Sequence, residues 1–396
     1  MELLQPKPTP PKKRPGRLVR LLAFLATLVL MAGAVALVAN RDKLNLDGVR
    51  RWFNYRSLER SDSGQAESFS YDGGSASSFA TLDDGLLVCS TASIRLYSGS
   101  GTLYVDQPVS MEHPVIHSTE HSAVVYDAGG RDLFVFSGKE QVFSLSLKED
   151  ESLLSARLNP DGSSLVVAAQ ESGYKGAVTV YGSDFQPIMR IKLSSRFVSD
   201  AVLSPDGTAV ALVTLGVEGS AFASTLELYQ LSRSEEDISP DSTCSLGNDV
   251  PLDLTWKSDG IWVLGQSSFT LVSPGGEKKG SYDYSGQYLK GFSLDGDGYA
   301  VLLLGKYRAG SAADLVVLDR TGQVKASASL HDQVFSLSAA GNYIAVLSAG
   351  RLDLYTPDLT LYRSLETTQG ARRVIQRPDG STMLMNADTA HLYVPN

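Results

Sequence analysis

A turn phrase followed by a short apolar run returns along this chain. It reads LNPDGSSLVVAA at residues 158–169, LSPDGTAVALVT at 203–214 and RPDGSTMLMNA at 377–387. Pro presets the backbone of the turn, Asp suits the next place, and Gly takes the left-handed conformation that a bulged hairpin needs. The runs that follow are nearly continuous in apolar character, which is typical of strands covered on both faces. Each phrase therefore predicts a hairpin that enters a packed sheet.

Looser copies of the phrase complete a series of eight. They turn at Gly85, His121–Ser122, Gly260, Gly298 and Gly341. The eight units recur about 40 residues apart, with wider steps where loops intervene, and strand-only repeats of this length are typical of four-stranded propeller blades. We therefore predict an all-β fold, an eight-bladed β-propeller over residues 65–396. Seven blades is the alternative, because the unit at His121 is degenerate.

The last unit breaks off at Asn396 after three strands. The segment AESFSYDGG, residues 66–74, precedes the first full unit and can supply the missing outer strand. Closure of the ring by the N-terminal strand protects strand edges that would otherwise be open.

A basic tail and an apolar stretch come before the repeats. Residues 1–20 are rich in Pro, Lys and Arg and predict a disordered cytoplasmic tail. Residues 21–39 carry no charge and are long enough to cross a bilayer as a helix. Lys and Arg are more frequent just before this stretch than just after it, so we expect a signal anchor with the propeller extracellular. A cleaved signal peptide ending near AVA (34–36) is the alternative, and it also exports the propeller.

The linker at residues 40–64 contains apolar residues at helical spacing: Leu46, Val49, Trp52 and Phe53. With arginines on the other sides, this pattern suits a short helix at the membrane surface. A plain spacer is the alternative.

This order of parts resembles a family of membrane-anchored propeller proteins of Gram-positive clostridia, the domain-of-unknown-function family numbered 5711. The shared features are the basic tail, one apolar span, a Trp-Phe segment beside it and the PDG turns. The resemblance implies a fold and a location, and it supplies no catalytic residue. The turns are also WD40-like, but the Gly-His and Trp-Asp dipeptides of true WD40 repeats do not occur in the sequence.

The net charge of the predicted propeller limits the kinds of partner that it can bind. The first 60 residues hold 12 of the 35 basic and 4 of the 44 acidic residues, which leaves the rest with 23 basic and 40 acidic residues. A domain with this acidic excess does not bind nucleic acid by neutralising phosphates. Cys89 and Cys244 lie far apart in different predicted blades, and a buried free thiol is favoured over a disulfide for Cys89.

Two motifs suggest metal sites only weakly. His113, His117 and His121 are four residues apart, but in an extended chain such residues are about 13 Å from each other, too far for one ion. Asp295 and Asp297 have the two-residue step of a calcium loop, yet Val301 stands where a later carboxylate would be needed. An acidic hairpin turn is the alternative for this pair.

The chain contains no nucleophile elbow, zinc-binding helix, phosphate loop or dinucleotide fingerprint. The innermost predicted strands offer only Asp200, Asp253 and Lys290 as polar residues that face the central channel. Hydrogen bonding to exposed backbone at the face of the ring is the alternative role for these three. No cofactor is indicated.

Two functional classes remain. The first is a non-catalytic module that binds another envelope protein or acts as a scaffold at the cell membrane. The second is an extracytoplasmic enzyme or small-ligand sensor that uses the central channel.

Overall fold

A computed structural model describes residues 24–28, 31, 47–56, 58–71, 78–232, 239–368 and 370–395. Contacts between residues divide the chain into two compact units, Met1–Asn54 and Tyr55–Asn396. The second unit is built from strands that pair antiparallel in eight separate four-stranded sheets.

The first four complete sheets follow the chain order without crossovers. Blade 1 is β2 (Ser78–Leu82), β3 (Gly85–Cys89), β4 (Ser93–Tyr97) and β5 (Leu103–Pro108). Blade 2 is β6 (Pro114–Ser118), β7 (Ser122–Asp127), β8 (Asp132–Ser137) and β9 (Glu140–Ser146). Blade 3 is β10 (Glu151–Leu158), β11 (Leu165–Glu171), β12 (Gly176–Tyr181) and β13 (Pro187–Leu193). Blade 4 is β14 (Phe197–Leu203), β15 (Ala209–Glu218), β16 (Ala221–Gln230) and β17 (Ser242–Gly247).

The next three sheets repeat the pattern, and the eighth takes one strand from the start of the unit. Blade 5 is β18 (Pro251–Lys257), β19 (Gly260–Gly265), β20 (Ser268–Val272) and β21 (Lys278–Asp283). Blade 6 is β22 (Tyr288–Ser293), β23 (Tyr299–Gly305), β24 (Ala313–Asp319) and β25 (Val324–Leu330). Blade 7 is β26 (Val334–Ala340), β27 (Tyr343–Ser348), β28 (Arg351–Tyr355) and β29 (Leu361–Leu365). Blade 8 is β30 (Arg373–Gln376), β31 (Thr382–Met385), β32 (Thr389–Tyr393) and β1 (Phe69–Ser70).

We name the four strands of each blade A to D in sheet order, with β1 as strand D of blade 8. The A strands of consecutive blades contact one another from blade 1 to blade 5 and from blade 6 to blade 8, so they line the centre of the ring. The eight-bladed propeller is therefore confirmed, and the seven-bladed alternative is wrong. The degenerate unit at His121 forms a full blade. Its turn lacks the PDG residues and is closed by a hydrogen bond from the Thr119 amide to the Ser122 carbonyl at 2.8 Å.

The PDG turns adopt the predicted conformation. In the first of them, the Gly162 amide donates to the Asn159 carbonyl at 2.8 Å. Gly162 and Gly207 have φ angles of 74° and 66°, in the left-handed region that side chains with a Cβ disfavour. Buried strands such as β11 and β15 follow these turns, as the apolar runs predicted.

The N-terminal strand closes the ring as predicted. Phe69 and Ser70 pair with Ala390 and Thr389 of β32. Beside this seam, the buried Tyr71 donates its hydroxyl to the Asn386 carbonyl and packs edge-to-face on Phe79 of blade 1, with ring centroids 5.5 Å apart. The last and first blades are thus joined by strand pairing and by side-chain packing.

The core lies between the blades. Apolar side chains of each sheet pack against those of the next in eight clusters, one for each pair of neighbouring blades. Cys89 and Cys244 are buried and free in two of these clusters. Burial and the nearby Asp127 raise the pKa of the Cys89 thiol to about 12, so this thiol stays protonated.

Helix α1 (Asp47–Tyr55) is nine residues long and ends at Tyr55, the first residue of the propeller unit. Within the predicted span 21–39 the structure describes only residues 24–28 and 31, which are helical. The rest of that span and the predicted tail at 1–20 lie outside the described residues. Among the residues that are described, no helix has the length and apolar character needed to cross a membrane.

Candidate functional site

The A strands carry β-bulges that decide which side chains enter the centre of the ring. The pairing of β14 with β15 shifts between Val198 and Asp200, and that of β18 with β19 shifts between Pro251 and Asp253. A bulge leaves backbone amides outside the regular ladder. Each Asp accepts a hydrogen bond from the amide that follows it, at 2.9 Å in blade 4 and 2.8 Å in blade 5.

Arg157 on β10 joins these two carboxylates across three blades. Its guanidinium makes a bidentate contact with Asp200, from Nε to Oδ1 at 3.0 Å and from Nη2 to Oδ2 at 2.6 Å. The same Nη2 donates to Oδ1 of Asp253 at 2.7 Å. Burial by itself lowers the pKa of Arg157, but the two carboxylates outweigh it and raise the pKa. The structure therefore brings together two of the three predicted channel residues, around an arginine that the prediction did not include.

His117 on β6 lies beside this cluster. Its Nδ1 accepts a hydrogen bond from the Leu158 amide at 3.4 Å. Burial and the positive charge of Arg157 lower the pKa of the imidazole to about 3. His117 is consequently neutral at ordinary pH and is a weak base.

Lys257, at the end of β18, and Asp295, just after β22, extend the charged group toward blade 6. Burial lowers the pKa of Lys257 to about 8, although the charge of Asp295 opposes this change. Lys257 donates to the Gly296 carbonyl at 2.6 Å, and its Nζ lies 4.2 Å from the centroid of the Trp262 ring. The Asp295 side chain keeps contact with solvent, yet surrounding protein and the charge of Asp253 raise its pKa.

The polar groups of this cluster already have hydrogen-bond or ion-pair partners within the protein. Arg157 occupies the carboxylates of Asp200 and Asp253, while His117 and Lys257 each bond to backbone of a neighbouring blade. A general acid or base needs a free group with a pKa near the working pH and a reachable substrate. The cluster is better suited to holding blades 2 to 6 together than to acid–base chemistry.

Lys290, the third predicted channel residue, does not join the cluster. It is the extra residue of the bulge in β22, where the pairing shifts between Leu289 and Gly291. Its ammonium donates to the carbonyls of Gly310 and Ala312 at 2.6 and 3.3 Å. Bonding to backbone at the face of the ring was the alternative role, and it is the role that Lys290 has.

The other predicted residues are also dispersed. Asp297 faces Arg320 at 3.4 Å, whereas Asp295 accepts a hydrogen bond from Ser293 at 3.2 Å. His121 places Nδ1 2.6 Å from Oδ1 of Asp83, whereas His117 contacts the Leu158 amide. In the part of the chain that the structure describes, no group of three His, Cys, Asp or Glu side chains is arranged to hold a metal ion.

Most of the exposed large apolar residues of the propeller lie on one of its two faces. The loops from strand D to the next strand A and from strand B to strand C lie on this face, which we call the D–A face. Its exposed large apolar residues extend from blade 3 to blade 7. They are Tyr174, Phe197, Val217, Phe222, Val250, Leu252, Tyr288, Tyr307 and Phe335. The other exposed apolar residues of the propeller lie singly on D strands: Leu103, Val142, Ile188, Val324 and Leu361.

A two-stranded ribbon projects from blade 4 on this face. Beyond the pairs Phe197–Leu215 and Ser224–Gly247, β15 and β16 pair only with each other. Val217 and Phe222 are directly opposite each other near the tip. Val217 is 71% exposed, an unusual position for a valine in a strand.

The ribbon lies next to the start of blade 5. Ser224 Oγ donates to the Asp249 carbonyl at 2.6 Å and so holds the loop that precedes β18. That loop contributes the exposed Val250 and Leu252. We call Val217, Phe222, Val250 and Leu252 the blade 4–5 patch.

A cavity of about 400 Å³ opens on the D–A face between blade 3 and Phe197 of blade 4. Its walls combine acidic residues at the start of blade 3 with the exposed rings of Tyr174 and Phe197. Lys192 lies 4.6 Å from the Tyr174 ring centroid, and Lys175 lies 5.1 Å from that of Phe197. The D–A face thus offers both apolar and charged contacts to a partner, and nothing in the sequence pattern marked these residues as one surface.

Solved structures share this architecture at low sequence identity. The C-terminal WD40 domain of Sif2 is similar with a TM-score of 0.59 and 13% identity, over 84% of this chain and 99% of that one. BamB from Moraxella catarrhalis is similar with a TM-score of 0.53 and 13% identity, over 83% and 98% of the two chains. At this identity the likeness concerns the fold alone. No curated protein sequence matches the chain.

A family profile covers most of the chain. It matches residues 55–390, from the end of α1 to β32 of the last blade. The matched range is therefore the propeller unit, and the protein belongs to the family of unknown function DUF5711.

Proposed function

We propose that this protein is a membrane-anchored, extracytoplasmic scaffold that binds another protein of the cell envelope through the D–A face. The observation that carries the proposal is the concentration of exposed large apolar side chains on that face, from blade 3 to blade 7. Contiguous exposed apolar surface, rimmed by polar groups, is typical of protein interaction sites. Single exposed residues, such as those on the D strands, need no such explanation.

The point where the chain enters the propeller supports the choice of face. Tyr55, the first residue of the unit, is buried against the loop between strands A and B of blade 8. Its hydroxyl accepts a hydrogen bond from Arg377 Nη1 at 3.1 Å and lies 3.1 Å from Ser381 Oγ. A–B loops lie on the face opposite to the D–A face. Tyr55 and its contacts therefore leave the D–A face uncovered.

The projecting ribbon of blade 4 is the part of the D–A face best suited to contact a partner. Its strands present unpaired backbone on both edges, next to the apolar side chains of Val217 and Phe222. A partner can therefore gain main-chain hydrogen bonds and apolar contact at one place, as when an added strand extends a sheet.

The channel-based alternative has less support. The carboxylates in the channel are paired with Arg157, and His117 is too weak a base for proton transfer at neutral pH. A small-ligand sensor or enzyme would need groups that are free to meet the ligand.

Site-specific photo-crosslinking in native membranes tests the proposal. A photoreactive amino acid is introduced at Val217 or Leu252 in the patch. Matched controls carry it at Ile188 or Val324, which are 52% and 46% exposed but lie on D strands. We expect one discrete crosslinked protein from both patch positions and none from the controls.

A second variant separates specific binding from nonspecific adhesion. Phe222→Asp places a charge in the patch and is expected to abolish the crosslink from Leu252, whereas Ile188→Asp should leave it intact. Equal crosslinking from patch and control positions, or a crosslink that survives Phe222→Asp, would reject the D–A face as the binding surface.

A further inference from the structure

Helix α1 presents two aromatic side chains away from its buried side. Trp52 and Phe53 are each 58% exposed, and their rings meet edge-to-face with centroids 4.9 Å apart. Arg51 and Tyr55, one helical turn apart, are buried on the other side. Exposed aromatic surface of this extent is costly in water, so burial of it in an apolar phase is favourable.

The charges near the pair indicate what covers it. Arg50, Arg56 and Arg60 are exposed in the same stretch of sequence as the two aromatic residues. The acidic residues in the same segment, residues 47–60, are Asp47 and Glu59. A short helix with exposed Trp and Phe side chains, and with arginines near it in the sequence, fits the boundary between headgroups and acyl chains of an anionic membrane.

The position of α1 in the chain favours lipid over a protein partner. The apolar stretch ends at Ala39 and α1 begins at Asp47. Seven intervening residues reach about 24 Å at most, even when fully extended. If residues 21–39 anchor the protein, as the proposed function states, α1 cannot leave the neighbourhood of the bilayer surface.

We propose that α1 lies in the membrane–water interface, with Trp52 and Phe53 inserted at the level where the acyl chains begin. The arginines contact anionic headgroups. This inference rests on the anchor of the proposed function and adds a second, reversible membrane contact next to it.

Tryptophan fluorescence offers a direct test, because Trp52 is the exposed tryptophan among the three in the chain. Trp256 and Trp262 are buried inside the propeller. The full-length protein is reconstituted in liposomes that contain phosphatidylglycerol and lipids brominated on their acyl chains. We expect bromine to quench part of the tryptophan emission, with complete loss of this quenching in Trp52→Phe. Iodide in the aqueous phase should quench the Trp52 component weakly.

Two comparisons complete the experiment. Replacement of phosphatidylglycerol by a zwitterionic lipid, or the double change Arg50→Gln and Arg56→Gln, should reduce bromine quenching and increase iodide quenching. Flotation of the liposomes reports the anchor independently. Protein that floats but shows Trp52 quenched by iodide and not by bromine would overturn the interfacial position while leaving the anchor intact. Protein that fails to float would contradict the proposed function itself.

Discussion

The guanidinium of Arg157 in blade 3 donates to the carboxylate of Asp253 in blade 5 at 2.7 Å, across the intervening blade. The same nitrogen contacts Asp200 of that intervening blade. A single side chain thus ties three consecutive A strands at the centre of the ring. All three side chains are mostly buried, so the carboxylates depend on the arginine for their counter-charge.

We predict that Arg157→Met destabilises the propeller by about 3 kcal/mol, because it leaves two partly buried carboxylates without a cation. Urea unfolding of the purified full-length protein, followed by tryptophan fluorescence, measures the change. The control is Arg95→Met, which removes a contact at 2.9 Å with the largely exposed Asp106. That change is expected to cost less than about 1 kcal/mol. Equal effects of the two substitutions would show that Arg157 does not join the blades energetically.

His117 makes the stability depend on pH in a defined window. Its pKa is about 3 in the folded protein, from burial and then Arg157, against 6.5 for an unperturbed histidine. Between these values the unfolded chain binds a proton that the folded protein does not, so stability falls as pH falls from 6.5 toward 3. The slope from this one group is at most about 1.4 kcal/mol per pH unit.

Melting temperatures between pH 7 and pH 4 check this effect. His117→Gln cannot take up the proton, so its stability should decline less steeply with acidification than that of the unmodified protein. His391, whose pKa burial also lowers, is present in both proteins and cancels in the comparison. Parallel pH profiles for the two proteins would show that His117 is not held neutral by the fold.

Tyr71 secures the seam where the ring closes. It is buried, contacts Phe79 of blade 1 and donates to the Asn386 carbonyl of blade 8. Tyr71→Ala should cost about 3 to 5 kcal/mol through the lost aromatic packing, and Tyr71→Phe only about 1 kcal/mol through the lost hydrogen bond. Thermal unfolding distinguishes the two. A mild effect of Tyr71→Ala would mean that strand pairing of β1 alone keeps the ring closed.

The ring was predictable because its turns carry local chemistry. The glycines of the PDG phrases need a left-handed backbone, and the apolar runs after them need cover on both faces, so blade number and strand order follow from the residues near each turn. Even the closing strand was predictable, since three strands in the last unit imply a missing fourth. Blade 2 was the hardest to place, because Thr119 and Ser122 replace the usual turn residues.

The channel was only partly predictable. Asp200 and Asp253 follow a bulge in their strands, whereas Lys290 is itself the bulged residue and bonds to backbone elsewhere. The position of the bulge differs by one residue relative to these side chains, and that residue decides whether the side chain enters the channel. The alternation of apolar and polar residues in the sequence does not show where a bulge falls. Arg157 was missed because its partners lie one and two blades away, at distances that only the closed ring defines. The D–A face was also missed, because its exposed apolar residues come from five blades and only the closed ring brings them to one side.

Accessibility of an introduced cysteine tests most directly whether the propeller acts outside the cell. Cys89 and Cys244 are buried, so a maleimide that cannot cross membranes reports on a new cysteine at Val217 in the patch. A cysteine at Thr9, in the predicted cytoplasmic tail, is the control. We predict labelling of Val217→Cys on intact cells and of Thr9→Cys only after the cells are permeabilised. Labelling of Val217→Cys only after permeabilisation would contradict an extracytoplasmic scaffold.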